Sequence, residues 1–217
     1  NKYLIKLTKR KITIMALTTI SSNSKIITIT EGMFTLRLAD NSTPEDAPPG
    51  TKFRQRKLQA GPNEGKEVCE ACADALPHNI ITKAELVEGY KGQNLQLTLV
   101  DESEDSFLLQ IPVGNNLFGE FVKRIPNIDR EKTISFIMGK DKVKKRSFLW
   151  LQQDGESVKM AFTKDNPNGM PPWEEKVVQG QKQWDSTNQN NFLYDIAVKF
   201  CSEISDTNSG YLDEVPF

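Results

Sequence analysis

A run of basic residues followed by two aromatic ones carries the first chemical signal in this sequence. Phe148 and Trp150 alternate with Leu149 and Leu151, so on a strand the aromatic pair shares one face and the leucines share the other. If the leucines face the core, the rings can stack on bases. The alternative is a solvated charged hairpin with both aromatic side chains in the core. Five cations just before them would attract a phosphate backbone: Lys140, Lys142, Lys144, Lys145 and Arg146.

Two smaller groups combine positive charge with an aromatic ring. Arg54, Arg56 and Lys57 follow Phe53, and Tyr90 precedes Lys91 in a predicted turn. Both groups are candidate DNA contacts, although clusters of this size are also typical of ordinary protein surfaces.

Two further tryptophans lie in a polar stretch of the chain. Trp173 and Trp184 have polar neighbours in sequence, and they could stack on bases, contact a neighbouring subunit or pack on the body. Of these, we expect packing on the body.

Metal binding and catalysis find little support in the sequence. Cys69 and Cys72 have CxxC spacing, and His78 with Cys201 would complete four zinc ligands only if Cys201 folds back. The favoured interpretation is small buried cysteines, with no metal and no cofactor. The chain has a single histidine, no phosphate-binding glycine loop and no nucleophile elbow, which predicts a protein that is not an enzyme.

The segment at 211–217 is the most specific signal. An acidic pair precedes a small apolar residue, a proline and a phenylalanine: Asp213, Glu214, Val215, Pro216 and Phe217. A basic pocket with an apolar hole can grip such a segment, since the phenylalanine fills the hole while the acids attract the rim. Proline restricts the backbone and lowers the entropy cost of binding.

This acidic segment resembles the C-terminal tip of bacterial and phage single-stranded DNA-binding proteins, which ends in acidic residues and an apolar-Pro-Phe triplet. The long insertions and the stretch at 164–190 look more like a phage-encoded member. The resemblance implies an OB-fold that binds single-stranded DNA, and a tip that recruits replication or repair proteins and competes with DNA. Only Asp213 and Glu214 adjoin the triplet, which implies weaker partner binding than usual.

The strand pattern agrees with that resemblance. Ile80–Glu88, Leu95–Leu99 and Phe107–Ile111 are predicted strands, a helix is predicted over Asn115–Ile125, and a fourth strand over Thr133–Met138. A last hairpin is predicted from Ser147–Gln153 and Ser157–Thr163. An OB-fold has this order: three strands, a short helix and two strands. We therefore predict a mainly β fold, an OB-fold-like five-stranded barrel with extra N-terminal strands and a C-terminal helix.

The flanking segments differ in composition. A strand is predicted over Lys25–Leu38, and a hairpin from Phe53–Gln59 and Lys66–Ala71. Residues 164–190 are rich in Pro, Gly, Asn and Gln and predict an extended arm or loop, followed by a helix capped at Ser186 or Asn188. The predicted units are a basic extension (1–24), the OB domain (25–165), the arm and helix (166–204) and a flexible acidic tail (205–217).

Charge and cysteine usage limit the functional classes. The net charge is −1, with +5 in residues 1–14 and −4 in residues 202–217, so about −2 remains for the body. Any DNA site must therefore be a local patch. Three cysteines, and no secretory signal, predict a cytoplasmic protein, in the host cell if phage-encoded. The sequence thus predicts sequence-independent single-stranded DNA binding. The alternative is a non-catalytic structural or adaptor protein whose OB-like barrel binds protein.

Overall fold

The fold comes from a computed structural model, which describes residues 25–59, 63–90, 92–141, 143 and 146–209, with side chains as far as Ile204. The protein is mainly β with a C-terminal helix. Leu95, Leu97 and Leu99 are fully buried on one face of a strand, which is what their alternation predicts.

Four strands form the N-terminal part: β1 (Lys25–Thr30), β2 (Met33–Arg37), β3 (Lys52–Lys57) and β4 (Glu67–Ala73). The predicted hairpin appears as β3 paired with β4. The single strand predicted over Lys25–Leu38 was wrong, because the chain reverses at Glu31 and Gly32 and β1 pairs with β2. Both turn residues have positive φ (54° and 72°).

The next three strands form an antiparallel meander: β5 (Ala75–Gly89), β6 (Gly92–Val100) and β7 (Ser106–Pro112). An acidic turn at residues 101–105 joins β6 to β7. The Asp101 carboxylate accepts hydrogen bonds from the backbone N–H groups of Ser103 and Asp105, so this acid closes the turn locally.

Helix α1 (Asn116–Val122) follows the meander. The Asn115 side chain caps it by accepting a hydrogen bond from the Phe118 N–H at 2.8 Å. Its apolar side packs on the sheet, where the rings of Phe121 and Phe136 stack at 6.2 Å. The helix ends at Val122, three residues before the predicted end at Ile125. Residues Ile125–Asn127, which include Pro126, form a short 3₁₀ turn.

A hairpin comes next, made of β8 (Ile134–Asp141) and β9 (Arg146–Gln153), with the two-residue strand β10 (Glu156–Ser157) on its edge. The predicted strand over Ser157–Thr163 was wrong beyond Ser157. There the backbone bonds to the end of α1 instead, since Ala161 N–H donates to the Lys123 carbonyl and Val158 C=O accepts from Arg124 Nε.

All ten of these strands join into one open sheet in the order β10-β9-β8-β5-β6-β7-β1-β2-β4-β3. Strand β1 runs parallel to β7. The turn between β1 and β2 also packs against the β8–β9 hairpin, because a Cβ on Gly32 would collide with Ser147 Oγ and lie 2.8 Å from Lys140 Cε. Gly32 thus allows two distant parts of the sheet to meet.

The C-terminal part contains a separate hairpin, β11 (Glu174–Val178) with β12 (Gln181–Asp185), and the long helix α2 (Thr187–Ser209). The hairpin was not foreseen: it occupies the middle of the extended arm or loop predicted over 164–190. Helix α2 begins directly after Ser186, one of the two predicted caps, and extends into the segment assigned to the tail. Within the described ranges, no helix is long and apolar enough to cross a membrane.

Helix α2 buries one stripe of its surface. Leu193, Ala197, Phe200 and Ile204 recur at helical spacing and are buried against the sheet and α1. Phe200 meets Phe121 edge-on at 6.0 Å, so both helices share one core with the strands.

Candidate nucleic-acid interface

The outer face of the β8–β9 hairpin carries an aromatic pair. Leu149 and Leu151 are fully buried, whereas Phe148 and Trp150 lie on the opposite face, with Trp150 48% exposed. Their ring centroids are 4.7 Å apart. Because the hydrophobic core forms on the leucine side, the aromatic rings present a surface of the kind that nucleic-acid bases stack on.

The aromatic pair is supported from the neighbouring strand. Gly139 lies directly opposite Phe148, and Ile137 lies opposite Trp150. A Cβ on Gly139 would collide with three atoms of the Phe148 ring. The ring therefore lies flat over the glycine, and the absence of a side chain there sets its position.

We predict that Gly139→Ala weakens binding of single-stranded DNA about as much as loss of one stacking ring, by roughly 1–3 kcal/mol, because the Phe148 ring must move. Fluorescence anisotropy with a labelled oligonucleotide measures the change. Gly119→Ala is the matched control, since its new Cβ meets only Leu193 Cδ1 at 3.8 Å. Equal affinity of both variants would contradict a binding role for the positioned ring.

The charges at the hairpin turn divide between its two faces. Arg146 is exposed on β9, two residues before Phe148, so it lies on the same face as Phe148 and Trp150. Lys140 lies on the other face, near Gly32. Asp141 pairs in register with Arg146. The remaining cations of this cluster, Lys142, Lys144 and Lys145, lie outside the described residues.

Arg54 and Arg56 both form ion pairs with the buried carboxylate of Glu70. Glu70 on β4 is only 5% exposed and accepts hydrogen bonds from Arg54 at 2.6 Å and from Arg56 at 2.8–3.1 Å. Arg54 also binds Glu31 at 2.8 Å, and Lys57 lies 3.9 Å from Glu67. The sequence analysis did not foresee these partners. The DNA contact predicted for Arg54, Arg56 and Lys57 stays a prediction.

The ionisation of Glu70 reflects the same contacts. Burial acts to raise the pKa of Glu70, but hydrogen bonds from Arg56 and Arg54 and their positive charges outweigh it, so the pKa lies below its ordinary value of 4.5. Glu70 is therefore an anion at neutral pH, and it neutralises part of the positive charge of this cluster.

Tyr90 is 77% exposed in the turn after β5, and β8 pairs with the other end of β5, from Ala75 to Asn79. Lys91 lies outside the described residues. The DNA contacts predicted for Tyr90 and Lys91 stay predictions.

The zinc alternative was wrong. Cys69 and Cys72 are three positions apart on a strand and point to opposite faces. His78 lies 3.9 Å from Glu102, and Cys201 is on α2. Burial raises the pKa of Cys72, and that of Cys201 to about 11. No group of three His, Cys, Asp or Glu side chains in the described ranges could hold a metal ion.

The acidic segment follows the last described residue, Ser209. Asp213, Glu214, Val215, Pro216 and Phe217 all lie outside the described residues, so their predicted role stays a prediction. Comparison with protein-family models, with curated proteins and with solved structures finds no match to this chain. Its function must therefore be inferred from its own residues.

Proposed function

We propose that this protein binds single-stranded DNA without sequence preference, through the outer face of the β8–β9 hairpin. The observation that carries the proposal is the Phe148–Trp150 pair, held outside the core beside a turn rich in lysine. Stacking tolerates any base, because every base has a π face, and the cations track the phosphates. Sequence-independent binding needs nothing more.

The proposed frame for this site is an OB-like barrel formed by β5 to β9. Its support is the meander, the intervening α1 and the β8–β9 hairpin, with β5 paired to both β6 and β8. In an OB barrel the last strand pairs with the edge of the third strand. Here the third strand of the frame is β7, and β1 pairs with that edge instead. The contact of Gly32, in the β1–β2 turn, with the β8–β9 hairpin is the observation that supports closure of this frame in the proposal.

In this proposal the protein acts in DNA replication, recombination or repair as a non-enzymatic strand-protecting factor. The acidic segment with Asp213, Glu214 and Phe217 recruits replication or repair proteins. The support is chemical: two acids next to an apolar-Pro-Phe triplet suit a basic, apolar pocket. The adaptor alternative is favoured by one observation, an exposed cleft lined by Trp173 and Trp184.

The test is a fluorescence-anisotropy titration of a labelled single-stranded oligonucleotide with the full chain, at about 50 and about 200 mM salt. We expect tight binding that weakens with salt, with a slope of about −0.7 for each phosphate neutralised. A chain ending at Ile204 should bind DNA equally well or more tightly. Lack of binding by both chains would overturn the proposal and favour the adaptor.

A further inference from the structure

An open cleft lies where the end of α1, the segment before β11 and the start of α2 meet. It has a volume of about 710 Å³ and is lined mainly by apolar side chains, including Pro167, Met170, Pro171 and Pro172. Trp173 and Trp184 form one wall and are 56% and 66% exposed. So much exposed tryptophan surface beside a concave cleft is typical of a binding site.

The β11–β12 hairpin extends this wall. Glu175 pairs in register with Trp184, and Val177 with Lys182, so Trp173, Trp184 and Val177 share one face. Glu175 and Lys182 form an ion pair at 2.7 Å on that face. The hairpin thus presents exposed apolar side chains around one ion pair next to the cleft. The described side chains do not cover this face.

The positive charge of the cleft indicates the kind of ligand that it binds. Lys123 and Lys164 are its only ionisable lining residues, and neither pairs with a carboxylate in the described ranges. Prolines and tryptophans suit an extended peptide, and the two lysines suit carboxylates on it. Two acids of the adjoining hairpin are already paired, Glu175 with Lys182 and Asp185 with Lys176, so they leave the two cleft lysines available to an acidic peptide.

We infer that this cleft binds the segment 211–217 of a second copy of this chain. Asp213 and Glu214 match the two lysines, and Tyr211, Val215 and Phe217 supply apolar groups for the tryptophan and proline wall. Pro216 keeps the segment extended. Self-association through this contact is independent of the DNA-binding proposal. The cleft lies on the α1 side of the β8–β9 hairpin, and Phe148 and Trp150 lie on the other.

The length of α2 favours another copy as the source of the segment. Gln189 lines the cleft near the start of α2, and the helix runs to Ser209, about 30 Å further on. Asp213 and Glu214 follow Ser209 by only four and five residues, which span at most about 18 Å when fully extended. The acids of a chain therefore cannot reach the Gln189 end of its own cleft while α2 is intact.

Tryptophan emission gives a direct test, because the chain has only three tryptophans. Trp150→Phe leaves the two in the cleft, and Trp173→Phe with Trp184→Phe leaves Trp150. A peptide with the sequence of residues 209–217 is titrated into full chains that also carry Asp213→Asn and Glu214→Gln. We expect an emission change in the first protein and none in the second. The reverse pattern, or no change in either, would overturn the inference.

Charge reversal tests the two lysines. Lys123→Glu with Lys164→Glu should weaken binding of the labelled peptide, followed by anisotropy, at least tenfold. Lys159→Glu, an exposed lysine outside the cleft, should leave it unchanged. Equal affinity of both variants would contradict the proposed charge pairing. Quenching of the cleft tryptophans by an oligonucleotide, but not by the peptide, would identify a nucleic-acid site instead.

Self-association follows from the same contact. Sedimentation velocity should show that the average mass of the unmodified chain rises with concentration, and that the Asp213→Asn, Glu214→Gln variant stays monomeric over that range. The lysine-reversed variant should also stay monomeric. A mixture of the lysine-reversed chain with a chain carrying Asp213→Lys and Glu214→Lys should associate again. Failure of this rescue would contradict the trans contact even if the peptide binds.

Discussion

Trp150→Ala is expected to weaken binding of single-stranded DNA by about 5- to 150-fold, with little change in the free energy of unfolding. The indole is half exposed and stacks on Phe148, so its removal takes away a base platform and leaves the core intact. Base stacking on an aromatic side chain contributes roughly 1–3 kcal/mol, and about 1.4 kcal/mol corresponds to a factor of ten. Anisotropy titration at constant salt measures the loss.

Trp184→Ala is the matched control for this prediction. Trp184 is also an exposed tryptophan on a strand, but it lies in the cleft rather than beside Phe148. DNA affinity should therefore stay within about twofold of the unmodified chain, a difference below about 0.5 kcal/mol. An equal loss in both variants would show that the hairpin face is not the particular DNA site.

The strands and the aromatic face could be predicted because their signal is local. Leu95, Leu97 and Leu99 alternate over one strand, and strand period alone assigns them to the core. The same period separates Phe148 and Trp150 from Leu149 and Leu151. The position of Gly139 under the Phe148 ring depends on the pairing register of β8 with β9, which the sequence does not specify in advance.

The β11–β12 hairpin could not be predicted, because its strands lack a buried face. Nearly all their residues are exposed, so no apolar alternation marks them. Trp173 and Trp184 were expected to pack on the body, as large apolar side chains usually do. Both are more than half exposed, so this prediction was wrong. The two-residue reversal at Glu31 and Gly32 was also missed, although glycine was a turn signal there.

The ion pairs of the arginine cluster could not be predicted, because the partner is distant in sequence. Glu70 is 16 residues from Arg54, and only the register of β3 with β4 brings them together. A signal was present in the sequence: Glu70 stands among Val68, Cys69, Ala71 and Cys72. A lone carboxylate inside an apolar strand needs a cation, since buried acids are almost always paired.

Removal of that carboxylate has the largest expected effect on stability. Glu70 is buried between the guanidinium groups of Arg54 and Arg56, which are themselves only 18% and 26% exposed. Without Glu70, two positive charges would remain partly buried near each other, with only Glu31 on one of them. Breaking a buried ion pair by removing one partner costs about 3–5 kcal/mol.

Glu70→Ala should therefore lower the free energy of unfolding by about 3–5 kcal/mol, measured by urea denaturation at pH 7. Glu67→Ala, on the same strand but exposed and 3.9 Å from Lys57, should change it by less than about 1 kcal/mol. Comparable losses from both variants would contradict the assignment of Glu70 as the charge that holds this edge of the sheet.

The pH dependence of stability gives a second, independent readout. Because the folded pKa of Glu70 lies below 4.5, the unfolded chain binds the proton more readily, and acid favours unfolding. The contribution of Glu70 is thus complete above about pH 4.5 and is lost as the pH falls through the folded pKa. Other paired acids add similar slopes, so the measurement is the difference between the unmodified chain and Glu70→Gln. We expect this difference to be large at pH 7 and to shrink on acidification, and a constant difference would contradict an ionised, paired Glu70.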